Sequence, residues 1–323
     1  MRILLAPMEG VIDHTMRDML TRIGGIDRCT TEFIRVTHTR LPTKVFHRYC
    51  PELLHHGKTP SGVPVFVQLL GGDPEFMAIN AAKAAELGAP GIDLNFGCPA
   101  KQVNRHDGGS ILLREPQRLY DIIGAVRQAV PNPIPVTAKV RLGFADTHQF
   151  ADIVAAAVAG GATELTVHAR TRADGYKPPA HWRELAQAQS CCPIPLVANG
   201  EIWSTADYQQ CLAASACRDV MLGRGILACP DLARQIQMLQ NNAPNISLPW
   251  SEIVALLTYF HHLSRDLYDE RYVGNRLKQW LGYLRRQYAL ANELFEQIKR
   301  LRCPMAITTT LNRHLELLQT SSV

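Results

Sequence analysis

Eight short apolar runs recur along the first three quarters of the chain, each bounded by Gly, Pro or polar residues. They are RILLA (2–6), CTTEF (29–33), VFVQLL (65–70), GIDLN (91–95), VTAKV (136–140), ELTVH (164–168), PLVAN (195–199) and DVMLG (219–223). Runs this short and this apolar have the pattern of strands buried on both faces. Helical periodicity separates most of them. One stretch runs from Pro74 to Leu87, with Asp73 as its N-cap and Gly88 just past its end. Others cover Pro116 to Ala129, Gln149 to Ala159, Thr205 to Ala214 and Pro230 to Gln240. Strand–helix alternation repeated eight times predicts an α/β fold, a (β/α)8 TIM barrel.

The pattern changes after NNAPNISLPW (241–250), which reads as a linker. Beyond it the strands stop, and amphipathic helical runs follow at 251–268, 274–288, 291–301 and 305–318. The expected division is a barrel over residues 1–243 and a small all-α helical domain over 244–323.

Composition narrows the class. With 46% hydrophobic and 20% charged residues, the chain is neither disordered nor fibrous. No apolar run approaches the roughly 18 residues of a membrane span. The opening MRILLAPMEG is too short in its apolar part for a secretory signal, so a cytoplasmic protein without a membrane partner is expected. The nine cysteines are odd in number and contain no CxxC pair, which argues against a disulfide framework or a zinc site, and no metal is expected. The net charge of +5 is a mild bias towards anionic partners. From Asn245 onward there are 10 Lys and Arg against 7 Asp and Glu, so the tail holds over half of the excess.

A barrel's active site lies at the C-terminal ends of its strands. The residues there are Pro7, Met8 and Glu9; Glu32 to Arg35; Gln68; Asn95 to Cys98; Lys139 and Arg141; His168 and Arg170; Asn199, Gly200 and Glu201; and Gly223 and Arg224. The last two sets carry glycines of the kind that admit a phosphate to backbone N–H groups, and Arg224 adds a charge-assisted contact. Tight turns alone would also use these glycines. Lys139 within VTAKV is expensive to bury without an anionic partner, either a carboxylate of the protein or a bound cofactor. Gln68 can both donate to and accept from the edge of a planar heterocycle. His168 is either a ligand contact or a satisfied core residue.

The stretch DLNFGCPAKQVNRHDGG (93–109) ends a strand in a lone cysteine, turns at Gly97 and Pro99, and continues into a loop carrying Lys101, Arg105 and His106. Cys98 could serve as a nucleophile, a redox group or a general acid. No second cysteine stands near it in sequence, which argues against a disulfide couple. A thiol with an ordinary pKa is protonated at neutral pH and can donate.

LLAPMEG, QLLGGDP, DLNFGCPAK, VTAKVRLG, TVHARTR, VANGEI and VMLGRG, in this order between residues 4 and 225, resemble the motifs of the tRNA-dihydrouridine synthases. The resemblance implies an FMN enzyme that uses NADPH to reduce the C5=C6 bond of a uridine in tRNA. It assigns FMN to Pro7, Met8, Glu9, Gln68, Lys139, His168, Asn199, Gly200, Glu201, Gly223 and Arg224. Cys98 would protonate C5 and Asn95 would hold the uracil. Arg35, Lys101, Arg141, Arg170 and Tyr176 would meet tRNA from the barrel, and Arg276, Lys278 and Arg285 from the helical tail. TEFIRV, VFHRYCPEL, TPSG, NGEI and RLKQWLGYLRR look like the C subfamily, which acts on U16 of the D loop. Phe96 departs from a small residue usual in the family, and Glu201 stands where Asp is common. A monomer is expected.

In the tail, Trp280, Tyr283 and Tyr288 interleave with the basic residues, a pattern suited to RNA stacking, although the same spacing turns aromatics into a helical core. Three alternatives have distinct marks. A flavin barrel acting on a free pyrimidine leaves the basic tail without a role. A non-catalytic tRNA-binding protein leaves Cys98 and Lys139 without one. A phosphate-binding isomerase lacks a Glu and His pair at the rim.

Overall fold

The computed structural model describes residues 1–190 and 192–320 of the chain. The expected runs form parallel strands: β1 (Ile3–Leu5), β2 (Arg28–Thr30), β3 (Ile34–Arg35), β4 (Val65–Leu70), β5 (Ile92–Asn95), β6 (Val136–Arg141), β7 (Glu164–His168), β8 (Leu196–Asn199) and β9 (Asp219–Leu222). The single run CTTEF is read differently by the backbone: β2 ends at Thr30 and β3 resumes at Ile34, both pairing with β4. Pairing of β1 with both β2 and β9, and of β2 with β4, closes eight strand positions into a (β/α)8 barrel. Its strands are buried almost throughout, and Leu4, Ala6, Val197 and Met221 form one apolar core cluster.

The helices follow from local signals. Asp73 caps the helix Pro74–Glu86, its carboxylate accepting from the N–H groups of Glu75 and Phe76 at 3.0 and 3.1 Å. Gly88, at φ +89°, takes the left-handed conformation beyond the helix end. The helices Pro116–Ala129, Phe150–Ala159, Thr205–Ser215 and Leu232–Gln240 lie within two residues of their expected bounds. Lys101–Arg105, expected as loop, forms a short helix.

At the N-terminal end of the barrel, the Arg2 guanidinium bonds Glu164 at 2.6 Å and Asp219 at 2.5 Å, and Arg28 pairs with the same Glu164. These charges satisfy one another at the end of a barrel concerned with stability.

The chain divides into two compact units. The first comprises Met1–His14, Ile26–Ile202 and Ala206–Gly223, and holds all the strands named above. The second comprises Thr15–Gly25, Trp203–Thr205 and Arg224–Val323. Its helices include Trp250–Leu267, Glu270–Leu284, Leu290–Ile298 and Pro304–Thr320. Trp280 is buried, 5.2 Å from the Phe260 ring, and its indole N–H donates to the Leu227 carbonyl at 3.2 Å. Trp250 packs 5.4 Å from Tyr288 and donates to His314 at 3.0 Å. These aromatics hold the helices together, as helical spacing alone allowed. Close backbone packing explains why Thr15–Gly25 belongs to this unit: a Cβ on Gly25 would stand 2.5 Å from the Ala233 backbone. No described helix is long and apolar enough to cross a membrane.

Candidate active site

Strand alternation assembles the site. Asp93 and Asn95 share one face of β5, and Thr137, Lys139 and Arg141 share one face of β6. Parallel register sets Gln68 beside Asp93 and Asp93 beside Thr137, then Asn95 beside Lys139. Farther round, Arg141, His168, Asn199 and Met221 are successive partners.

Lys139 is 9% exposed, and its ammonium donates to the Asn199 side-chain oxygen at 2.9 Å. Asn199 is held in turn, donating to the Met221 carbonyl at 2.8 Å. Among the described residues no carboxylate forms an ion pair with Lys139; burial, with Arg141 nearby, lowers its pKa from 10.5 to about 8, and the more distant charge of Asp93 opposes the fall. The alternative of a directly paired protein carboxylate is therefore not met among the described residues, and the ammonium keeps donor capacity beyond its one hydrogen bond.

Cys98 is half-buried just beyond β5. Its N–H and that of Gly97 donate to the Asn95 side-chain oxygen at 3.0 and 2.9 Å. Its carbonyl accepts from the Ser110 N–H at 3.0 Å, the Ser110 hydroxyl at 2.9 Å and the Asn104 amide at 3.0 Å. Gly109, at φ +68°, lets this close approach occur, since a Cβ there would lie 2.8 Å from the Cys98 oxygen. The sequence reading missed Asn104 and Ser110. Burial raises the thiol pKa above 9.0, and Glu9 adds to the rise, while the Ala100 backbone and Arg141 oppose it. The thiol is thus kept protonated and fits an acid better than a thiolate nucleophile.

Two expected tRNA contacts require correction. Arg141 is 1% exposed and donates to the carbonyls of Gly97 at 2.8 Å, Thr171 at 3.0 Å and Gly175 at 2.8 Å. Arg170 is fully buried, donating to the Lys177 carbonyl at 2.6 Å and pairing with Glu201. Both guanidinium groups order the rim instead of facing outward. The reason for Arg141 is its place two residues beyond Lys139, on the same strand face. Arg170 Nη1 also stands 3.2 Å from His168 Nε2, and because arginine only donates, that nitrogen is assigned as the acceptor and the proton to Nδ1. Glu201, expected at the cofactor, is committed to Arg170 and adopts φ +59°.

The other expected residues are distributed as follows. Gln68 is fully buried, with its amide bonded to Asp93 at 2.7 Å and to Asn95 at 2.9 Å. Pro7 and Met8 are half-buried and Glu9 is exposed. Gly223 ends the first unit with its Cα face toward Ala6 and Met8, 3.7 and 3.8 Å from where a Cβ would stand. Gly200 takes φ +116°, and a Cβ there would lie 2.9 Å from the His168 ring. Tyr176 is 54% exposed, and its ring lies 5.3 Å from the Arg141 guanidinium. Lys101 is exposed and Arg35 half-buried. Phe96 is fully buried, with its N–H donating to the Lys139 carbonyl at 2.9 Å.

In the second unit, Arg224 lies 5.1 Å from the Trp203 ring and Arg286 lies 4.1 Å from the same ring, a cationic stack that the sequence reading missed. Arg276 bonds Gln279 at 2.7 Å, Lys278 donates to the Leu301 carbonyl at 2.6 Å, and the exposed Arg285 bonds Asn292 at 2.6 Å.

The donor set fits a flavin nucleotide. Lys139 offers a buried cation with spare N–H groups for an electron-rich ring edge, Gln68 keeps one amide N–H beyond those it uses, and the Gly200 and Gly223 backbones are unobstructed by side chains of their own.

The dihydrouridine synthase family model matches residues 4–314. The tRNA-dihydrouridine(16) synthase of Aquipseudomonas alcaligenes is 49% identical over 300 residues, 93% of this chain and 95% of that protein. The tRNA-dihydrouridine(16) synthase of Vibrio cholerae serotype O1 is 49% identical over 315 residues, 97% of this chain and 96% of that protein. Among solved structures, the old yellow enzyme homologue from Zymomonas mobilis shares the fold, with a TM-score of 0.52 at 15% identity over 76% of this chain and 90% of that one. On the family match and the identity across nearly its whole length, the chain belongs to the dihydrouridine synthase family.

Proposed function

We propose that this protein binds FMN and reduces the C5=C6 bond of a uridine in the D loop of tRNA to 5,6-dihydrouridine, with position 16 as its target and NADPH as the reductant, in the cytoplasm. The observation that carries the reading is the Cys98 turn, whose backbone is held by five hydrogen bonds at Gly97 and Cys98 and whose thiol pKa is raised by burial. The position-16 assignment rests on relatives named tRNA-dihydrouridine(16) synthase at 49% identity.

Bound and reduced by NADPH, FMN would supply the hydride that uracil C6 receives. Lys139, Gln68 and the glycine turns at Gly200 and Gly223 would hold it, with Pro7, Met8 and the His168 ring around it. Asn199 and Glu201 act through others, Asn199 by aiming Lys139 and Glu201 by fixing Arg170. The Cys98 thiol would give its proton to C5: the C5=C6 π pair becomes the new C5–H bond, and the hydride's own electron pair becomes the new C6–H bond. Solvent then reprotonates the thiolate. Asn95 and the exposed Tyr176 ring would meet the uracil, which must leave its stack to reach the site. Arg35, Lys101, Arg276, Lys278 and Arg285 would contact phosphates.

The test is nucleoside mass spectrometry of tRNA, mapped by position, from cells with and without this gene, complemented by wild-type or Cys98→Ala protein. Loss of dihydrouridine at position 16 alone, restored by the wild type and not by the variant, is expected. Loss at another D-loop position would move the target and keep the chemistry. No change would favour a free pyrimidine as substrate. General acids contribute about 10²- to 10⁴-fold, so full complementation by Cys98→Ala would remove the thiol from the reaction.

A further inference from the structure

We infer that Asp93 and Thr137 form the anchored end of a polar relay, Asp93–Gln68–Asn95, that fixes the position of the Cys98 turn and the polarity of the Asn95 amide facing substrate. The inference rests on the proton-donor reading of Cys98 and names positioning residues that the reading does not include.

The polarity follows from groups with no choice. The backbone N–H groups of Gly97 and Cys98 can only donate, so the Asn95 oxygen that meets them at 2.9 and 3.0 Å accepts. The other end of that amide is then NH2, and it donates to the Gln68 oxygen at 2.9 Å. Gln68 must in turn present its NH2 to Asp93, 2.7 Å away, and Asp93 must accept. The second carboxylate oxygen of Asp93 accepts from the Thr137 hydroxyl at 2.6 Å. Each link is buried: Gln68 at 0%, Thr137 at 1%, Asp93 at 3% and Asn95 at 9% exposure. Reversing any amide would set two donors or two acceptors against each other without water to relieve them. Asn95 is left with one uncommitted N–H, so the substrate group it meets is a pyrimidine carbonyl and not the N3–H. Burial raises the Asp93 pKa, while the hydrogen bonds from Gln68 and Thr137 and the charges of Arg28 and Lys139 oppose the rise and favour the acceptor form.

The relay makes a prediction about pairs of variants. In Asp93→Asn, the new amide can keep its oxygen toward Gln68 and give its NH2 to the Thr137 oxygen, because the Thr137 hydroxyl can turn to the Ile92 carbonyl, 3.5 Å away. In Thr137→Val, the carboxylate of Asp93 still accepts from Gln68 in either orientation. Each single variant therefore loses about threefold, the equal of one ordinary hydrogen bond. In Asp93→Asn with Thr137→Val, the new NH2 faces a methyl group, and the relay must either leave it unpaired or reverse.

All four proteins, with FMN bound, would be assayed for single-turnover dihydrouridine formation on unmodified tRNA. The rate of Cys98 alkylation would be followed separately by peptide mass spectrometry, with thermal melting to verify folding. Independent effects multiply to about tenfold, whereas the relay predicts a loss of more than about thirtyfold in the double variant and a matching non-multiplicative change in alkylation rate. Multiplicative effects in alkylation overturn the relay. Cys98→Ala, run in parallel, separates the two ideas. If it turns over normally, the proton-donor reading fails, and a non-multiplicative alkylation cycle still supports the relay.

Discussion

Replacing Lys139 with Met should stabilise the flavin-free protein near neutral pH while impairing its capture of FMN. The wild-type ammonium is buried with one hydrogen bond, to Asn199, and its pKa falls from 10.5 to about 8. In the unfolded chain it keeps its ordinary value. Between those two values the unfolded state binds the proton and the folded state does not, so stability rises with pH across that window. Below pH 8 both states carry the charge, and the folded protein bears the full penalty. At about 1.4 kcal/mol per pH unit, the displacement amounts to about 3 kcal/mol. Methionine is of similar length and removes the penalty, and losing the hydrogen bond to Asn199 costs about 1 kcal/mol. The net expectation is about 2 kcal/mol of added stability at pH 7. Urea unfolding of flavin-free wild type and Lys139→Met at pH 7, 8, 9 and 10 checks it. The difference between the two proteins cancels the titrating groups that do not interact with Lys139, and it should shrink and then change sign as pH rises. A difference that stays constant with pH, or a variant less stable at pH 7, would refute the claim that the buried ammonium carries a net penalty. FMN titration of the same samples should show weaker binding by the variant.

Gly200→Ala should lower FMN content, measured by absorbance after purification, because the new Cβ would press on the His168 ring at 2.9 Å from a backbone at φ +116°. Flavin content equal to wild type would mean that the turn gives way. Arg276→Ala with Lys278→Ala should weaken tRNA binding and reduce the slope of log K against log salt by less than about 2, since each lost phosphate contact is worth about 0.7 to 0.9. Lys278 already donates to the Leu301 carbonyl, so Arg276 should carry the larger share, and an unchanged slope would take both out of the interface.

Much of the fold was legible because its signals are local. Eight apolar runs with caps and breakers between them specify strand and helix positions to within a few residues, as Asp73 and Gly88 illustrate at one helix. The split of the second run into β2 and β3 was not legible, because both halves pair with β4 and nothing in CTTEFIR marks Thr31 to Phe33 as leaving the ladder. The compact units were less legible still. Thr15–Gly25 precedes most of the barrel in sequence, and only tertiary packing such as that of Gly25 on the Ala233 backbone assigns it to the second unit.

The site was legible where a residue type conflicts with its surroundings. Lys139 in VTAKV announced itself as a charge in an apolar strand, and among the described residues no carboxylate forms an ion pair with it. Asp93 in GIDLN sends the same signal, a carboxylate within a buried strand, and only its neighbours in space show its use. Gln68 and Thr137 lie 25 and 44 residues from it, so the relay exists only through barrel register. Arg141 and Arg170 show the opposite error. Strand-end arginines look like phosphate contacts, yet period-two alternation already placed Arg141 on the face of Lys139, where it spends its donors on the Gly97, Thr171 and Gly175 carbonyls. For a barrel rim, then, the parity of a residue along its strand should be weighed before its charge. An arginine of inward parity meets the protein first, and the tRNA contacts of this chain should be sought among the exposed Lys101, Tyr176 and Arg285 before the buried pair.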